Sequence, residues 1–202
     1  AEVLEKPRGI ATKVIDNWNN TEEAIRENIS GLSASERPKV LILFKTKAMM
    51  VAGKGSFGDY WINSVGAKNV AAQIKTEHPA MVKIGNFEEI LKWDPDFVFI
   101  TNFDETNPEE IYNNAIPGQD WSEVSAVGKK QVYKIPLGIY RWYPPSLDGP
   151  LMLKWMALTL YPDLFDFDMR EEILYHFSNF YNYTPSDEEI DAVLSPEASG
   201  TY

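Results

Sequence analysis

The chain has 202 residues, with thirty Asp and Glu against nineteen Lys and Arg, a net charge of −11, two histidines and no cysteine. At 44% hydrophobic and 13% aromatic it has the apolar surface that a disordered chain lacks, and its length suits one full domain or one and a half small ones. The acidic balance and the want of a basic stripe exclude a nucleic-acid binder. Without cysteine there is no disulfide framework, thiolate nucleophile or Cys-ligated zinc. Two histidines leave little for a multi-histidine metal site or a His-based triad. No apolar run approaches the ~20 residues that span a bilayer.

Residue 1 is Ala and residues 1–9 carry no charged-then-apolar leader, so either a leader has been removed or the chain begins partway through a longer protein. Val14, Trp18, Ile25, Ile29 and Leu32 then recur at helical spacing. Asn20 with Glu23 has capping-box spacing, which predicts either two helices or one kinked near residues 17–21. After a polar break at residues 33–38, residues 39–44 are apolar without alternation, as in a strand buried on both faces. Asn86 with Glu89 and the face Phe87, Ile90 and Leu91 predict a helix ended by Asp94-Pro95, with a strand at residues 97–101 behind it. A third strand covers residues 131–135 and stops at Pro136. Helical segments between all three strands predict an α/β layered fold with a mainly parallel sheet. Leu151, Trp155 and Leu158 share one helix face, and Met169, Ile173, Phe177 and Phe180 another. Ser186 with Glu189 forms a capping box before Ile190, Val193 and Leu194, and residues 196–202 read as a flexible tail.

Gly53 to Gly58 match G-x-G-x-x-G, with Glu77 where a ribose-binding acid would be sought. A dinucleotide site needs those glycines at a strand-to-helix turn, and residues 48–52, centred on Met49, Met50 and Val51, would have to supply the strand. The other reading is a glycine-rich loop into a helix capped by Ser56 and carrying Phe57, Trp61 and Val65. Glu109-Glu110, Glu171-Glu172 and Glu188-Glu189 sit where first helical turns are expected, which favours the macrodipole. A carbohydrate-active domain would instead need two carboxyls in one groove. The loop from Ile135 to Ser146 follows a strand and precedes a helix, at the carboxyl edge of a parallel sheet. Its Tyr140, Arg141, Trp142 and Tyr143 offer three ring faces and one cation between prolines, a set suited to a planar or anionic ligand unless the rings merely cover the sheet edge.

Several motifs follow one another in a fixed order. They are Arg37-Pro38-Lys39-Val40; Gly66-Ala67-Lys68-Asn69-Val70-Ala71; Phe87-Glu88-Glu89-Ile90-Leu91 with Pro95-Asp96; Trp121 to Val127 with Val132-Tyr133; and Pro144-Pro145-Ser146, Trp155-Met156-Ala157 and Tyr161-Pro162-Asp163. Over residues 10–194 this series resembles the C-terminal lobe of ABC-transporter substrate-binding proteins of the helical-backbone type, receptors for ferric siderophores, haem, cobalamin and related metal complexes, with some oxyanion binders. The resemblance implies two α/β lobes, each a three-layer sandwich, joined by one long helix. Residues 1–36 would be the end of that helix and its linker, and residues 37–195 the C-terminal lobe, with the N-terminal lobe absent. It further implies an extracytoplasmic protein, periplasmic or held at the cell surface as a lipoprotein. Such a protein is no enzyme; it has no resident cofactor, and its ligand is a small-molecule metal chelate. Glu88, with Glu89 beside it, would dock on arginines of the membrane permease. Ser56, Phe57, Tyr60, Phe103, Tyr140, Arg141, Trp142 and Tyr143 would face the ligand. The rival expectation is a nucleotide-dependent oxidoreductase domain using Gly53 to Gly58.

Overall fold

A computed structural model describes residues 8–196; the expected tail beyond Pro196 and the first seven residues lie outside the described residues. Helix α1 (Arg8–Ile29) leads to strands β1 (Lys39–Lys45) and β2 (Met50–Val51), helix α2 (Phe57–Ser64), and strands β3 (Lys68–Asn69) and β4 (Val82–Lys83). Helix α3 (Glu88–Trp93), strand β5 (Phe97–Ile100), helices α4 (Pro108–Tyr112) and α5 (Ser125–Gly128), and strand β6 (Val132–Lys134) follow. The C-terminal part is helical: α6 (Gly149–Leu160), α7 (Met169–His176), a π-helical segment (Phe177–Tyr181) and α8 (Asp187–Leu194).

The sheet runs β4-β2-β1-β5-β6, with β3 paired to the first residues of β1. β1, β3, β5 and β6 are parallel, whereas β2 runs antiparallel to both β1 and β4. The continuous apolar run of β1 has a direct cause: its alternate residues enter two different cores. Val40, Ile42 and Phe44 point to one face, with Trp61, Leu151, Trp155 and Ile173 from α2, α6 and α7. Leu41 and Leu43 point to the other, with Ile90, Ile111, Trp121 and Val127 from the α3, α4 and α5 side. The result is the expected three-layer α/β sandwich. Helix α6 is apolar nearly all round because it lies between the sheet and α1.

Helix α1 is one helix from Arg8 to Ile29, which removes the two-helix alternative. The Thr21 hydroxyl donates back to the Asn17 carbonyl at 2.8 Å, so the helix runs through the capping-box lookalike. Its Trp18 ring lies against Gly149, where a Cβ would stand 2.0 Å from a ring carbon. The capping box at Ser186 and Glu189 forms as expected. Asp94, in the left-handed region at φ 43°, ends α3 ahead of Pro95.

Candidate functional site

Parallel pairing of β1, β5 and β6 brings their carboxyl ends to one edge, the usual place for a ligand in an α/β sheet. A buried polar frame stiffens that edge. The Asp104 carboxylate accepts from the Thr46 amide after β1 and, at 3.1 Å, from the Thr106 amide. Lys134, at the end of β6, donates to the carbonyls of Asp104 (2.6 Å) and Thr106 (2.7 Å). Burial pulls its ammonium down to about 8, the nearby Asp104 opposing, so it stays protonated at neutral pH. The Thr101 hydroxyl donates to the Phe44 carbonyl, and the Asn102 amide to the Ile135 carbonyl. With these contacts the loops after the strands become a fixed floor.

On this floor stand four of the predicted ligand-facing residues. Phe103 stacks on Phe44 with ring centroids 4.9 Å apart. The Arg141 guanidinium lies over the Phe103 ring at 4.6 Å and 6.0 Å from that of Tyr140. Leu137 and Arg141 form an antiparallel bridge, so the intervening residues make a tight turn whose tip exposes Ile139 (55%) and Tyr140 (48%). Phe57 is half-buried, edge-on to Tyr143 with centroids 6.3 Å apart. Arg141, Phe103 and Tyr140 thus offer a cation between two aromatic faces, an arrangement fitted to an anion that also has planar or apolar parts.

Of the other four, Ser56, Trp142 and Tyr143 are buried, against expectation, whereas Tyr60 keeps an exposed face. Trp142 and Tyr143 have no exposed surface and belong to the core of the α6 face. The Tyr143 hydroxyl donates to the Ala80 carbonyl, its backbone carbonyl accepts from the Trp61 indole at 2.6 Å, and burial pushes its phenol well above the usual range. Ser56 is buried as the N-cap of α2, accepting from the Asp59 amide at 3.2 Å. Tyr60 is partly exposed, but its hydroxyl accepts from the Trp18 indole at 3.0 Å and donates to Glu22, so it ties α2 to α1. These four support the surface from behind or beside it. Sequence reasoning missed Asn102, Asp104 and Lys134, whose roles depend on strand order.

The glycine-rich segment is a structural corner. Strand β2, which feeds it, has two residues and runs antiparallel to β1. The amides of Lys54, Gly55 and Phe57 are spent on the Ile74 carbonyl (2.8 Å), the Asp59 carboxylate (2.9 Å) and the Pro79 carbonyl (2.7 Å). A carboxylate stands where a pyrophosphate would have to sit. A Cβ at Gly53 would meet the Ile74 carbonyl oxygen at 2.5 Å, and one at Gly58 the Ala52 Cβ at 2.4 Å, so close packing explains both glycines. The geometry opposes the nucleotide reading. The first-turn glutamates of α4, α7 and α8 are where expected.

Glu88 is exposed in the first turn of α3; Glu89, next to it, accepts from the Gly85 amide at 3.0 Å. The Pro95-Asp96 pair serves the fold, since Asp96 accepts from the Lys39 amide and from Lys129 Nζ, both at 2.9 Å, and so fixes the start of β1. A groove of about 510 Å³ lies outside β6, lined in part by Tyr112, Tyr133, Lys134 and Trp155. Among the described residues no group of three or more His, Asp or Glu could hold a metal ion.

The model of the periplasmic binding protein family matches residues 6–137. No curated protein resembles the chain closely enough to count as a match. Among solved structures, a periplasmic solute binding protein from Veillonella parvula is 35% identical with a TM-score of 0.86, over 98% of this chain and 59% of that one. Helicobacter pylori CeuE, solved as a complex named for nickel and histidine, is 23% identical (TM-score 0.71; 91% and 56% of the two chains). Haemophilus influenzae MolA bound to molybdate is 20% identical (TM-score 0.71; 87% and 51%), and these two likenesses speak for the fold alone. The chain thus spans between half and three fifths of these proteins. On the family match and the fold together, the chain belongs to the periplasmic binding protein family.

Proposed function

We propose that the chain is the C-terminal, ligand-facing half of a solute receptor that feeds an ABC importer outside the cytoplasm. Its work is binding, not catalysis. The ligand is an iron complex or related metal chelate, such as a ferric siderophore, haem or a cobalamin, with an anionic group set against Arg141, gripped between this surface and a second lobe outside the chain. The observation that carries this reading is the Arg141 cation between Phe103 and Tyr140, at the open carboxyl edge of a parallel sheet. One lobe covers only one side of such a ligand, so tight binding needs both. Two solved proteins of the same fold are described with nickel-histidine and with molybdate, so that fold accommodates metal-linked and oxyanionic cargo. Exposed Glu88 orients the loaded receptor on arginines of the permease, a contact that sets docking geometry and encounter rate more than strength. The receptor works in the periplasm or held at the cell surface as a lipoprotein.

The test is a tryptophan-fluorescence titration of the full-length protein with a ferric siderophore, haem, cobalamin, molybdate and NAD, repeated with Arg141→Ala. Saturable binding of one metal complex or oxyanion, weakened at least tenfold by the substitution, is the expected result. Binding of NAD alone, indifferent to Arg141, overturns it.

A further inference from the structure

The turn that carries Tyr140 and Arg141 is held from behind by the C-terminal helices. Its first residue, Leu137, donates its amide to the Val193 carbonyl of α8 at 3.0 Å. Its second, Gly138, faces two buried polar atoms that have no hydrogen-bond partner, Trp142 Nε1 and Asp148 Oδ2. A Cβ on Gly138 would lie 2.6 Å from the first and 2.7 Å from the second. Any side chain there would therefore push the turn off its seat.

Asp148 is the unusual member. It immediately precedes α6, has no exposed surface, and its carboxylate makes no cap bond to that helix. An uncompensated carboxylate in a core is costly, so its partners matter. They come from the far end of the chain: Oδ1 accepts from the Tyr181 hydroxyl at 2.7 Å and faces His176 Nε2 at 3.3 Å. Tyr181 closes the π-helical segment that follows α7, and Phe177 and Phe180 pack around the imidazole. Segments of π-helix occur often at functional positions.

We propose that Asp148 is a positioning residue for the ligand surface: held by the Tyr181 hydroxyl beside the His176 ring, it seats the turn at Gly138 and thereby fixes where Arg141 and Tyr140 stand. The ligand role of that turn rests on the function proposed above; the seating itself does not. The C-terminal helices would then do more than cover the sheet, because they also set the height of the binding turn.

Amide hydrogen exchange of the ligand-free chain tests this without any ligand, so a flat titration in the previous experiment leaves its outcome readable. Tyr181→Phe removes one hydroxyl and keeps the ring. The expected result is exchange at residues 137–141 accelerated about tenfold, with the amides of β1 and β5 unchanged. Asp148→Asn keeps an acceptor for Tyr181 but sets an amide donor near the Trp142 indole; it should shift the Trp142 indole N–H resonance and loosen the same residues. Unchanged exchange at 137–141 in both variants overturns the proposal. So does acceleration spread equally over β1 and β5, which would mark Asp148 as an ordinary core contact.

Discussion

The Tyr112 hydroxyl stands between the two backbone groups of one residue: it accepts from the Val132 amide at 2.9 Å and donates to the Val132 carbonyl at 3.1 Å. Val132 opens β6, the last strand on its side of the sheet, and the hydroxyl thus occupies the position a further strand would take. Burial raises the phenol above its usual range, with the Val132 hydrogen bond opposing, so the neutral hydroxyl serves as donor and acceptor throughout the physiological range. Tyr112→Phe should cost about 1–3 kcal/mol in urea unfolding, because two half-buried backbone groups lose their partner. It should also promote concentration-dependent association through the bared edge. Unaltered stability together with a monomer at high concentration in light scattering would count against the plug.

Lys134 gives a pH signature. Its pKa is about 8 in the folded lobe and near 10.5 unfolded, so between those values the unfolded chain holds more protons and stability rises with pH. The contribution is complete above the unfolded value and lost as pH falls through the folded one. Wild type should therefore gain on the order of 2 kcal/mol relative to Lys134→Met between pH 7 and pH 10. A constant difference across that range would refute the assignment.

Asp96 carries the same sign in a more acidic window. Burial raises its pKa, but the Lys39 amide and the Lys129 ammonium more than offset this and leave it below the usual carboxylate value. Its stabilisation is present at neutral pH and lost as pH falls through the lowered folded value. Asp96→Asn should cost about 1 kcal/mol at pH 7, with the gap to wild type closing in acid. Equal gaps at pH 7 and pH 3 would show that ionisation is not involved.

The buried and exposed members of the aromatic loop separate cleanly by mutation. Trp142→Ala opens a cavity in the core and should cost about 3–5 kcal/mol of stability. Arg141→Ala should leave the unfolding midpoint nearly unchanged while weakening ligand binding in the titration above. If Trp142→Ala were stable and selectively defective in binding, its burial would have to be transient.

Gly149→Ala would place a methyl within 2.0–2.9 Å of three Trp18 ring carbons. The indole must move, at a cost of about 1–3 kcal/mol. A red shift in tryptophan emission with retained helical circular dichroism is expected. An unshifted spectrum would mean that α1 does not rest on this glycine.

Much of the layering was legible because its signals are long and redundant: β1 is seven residues of apolar chain, and Asp94-Pro95 ends α3 by backbone sterics alone. Strands β2, β3 and β4 have two residues each, too few for any periodicity to show. The Asn20–Glu23 spacing misleads because a capping pattern inside a packed helix is overridden by tertiary contacts, here Trp18 on Gly149. In the loop, the residue types were correctly noticed but not their direction. Adjacent Arg141 and Trp142 face opposite ways, and only the lack of a side chain at Gly138 makes room for the indole behind the turn. Asp104 and Lys134 were invisible because they meet only once β5 and β6 lie side by side.

The strand order has one more consequence. Drawn as a network of pairings, the described sheet is a tree with β1 as its branch point: β2 with β4, β3 alone, and β5 with β6 all connect through it. Cutting that node leaves fragments of at most two strands, and isolated two-stranded ribbons are marginal in water. The sheet therefore has no half-built form: lesions in residues 40–44 should abolish folding outright, whereas lesions in any other strand prune a single branch.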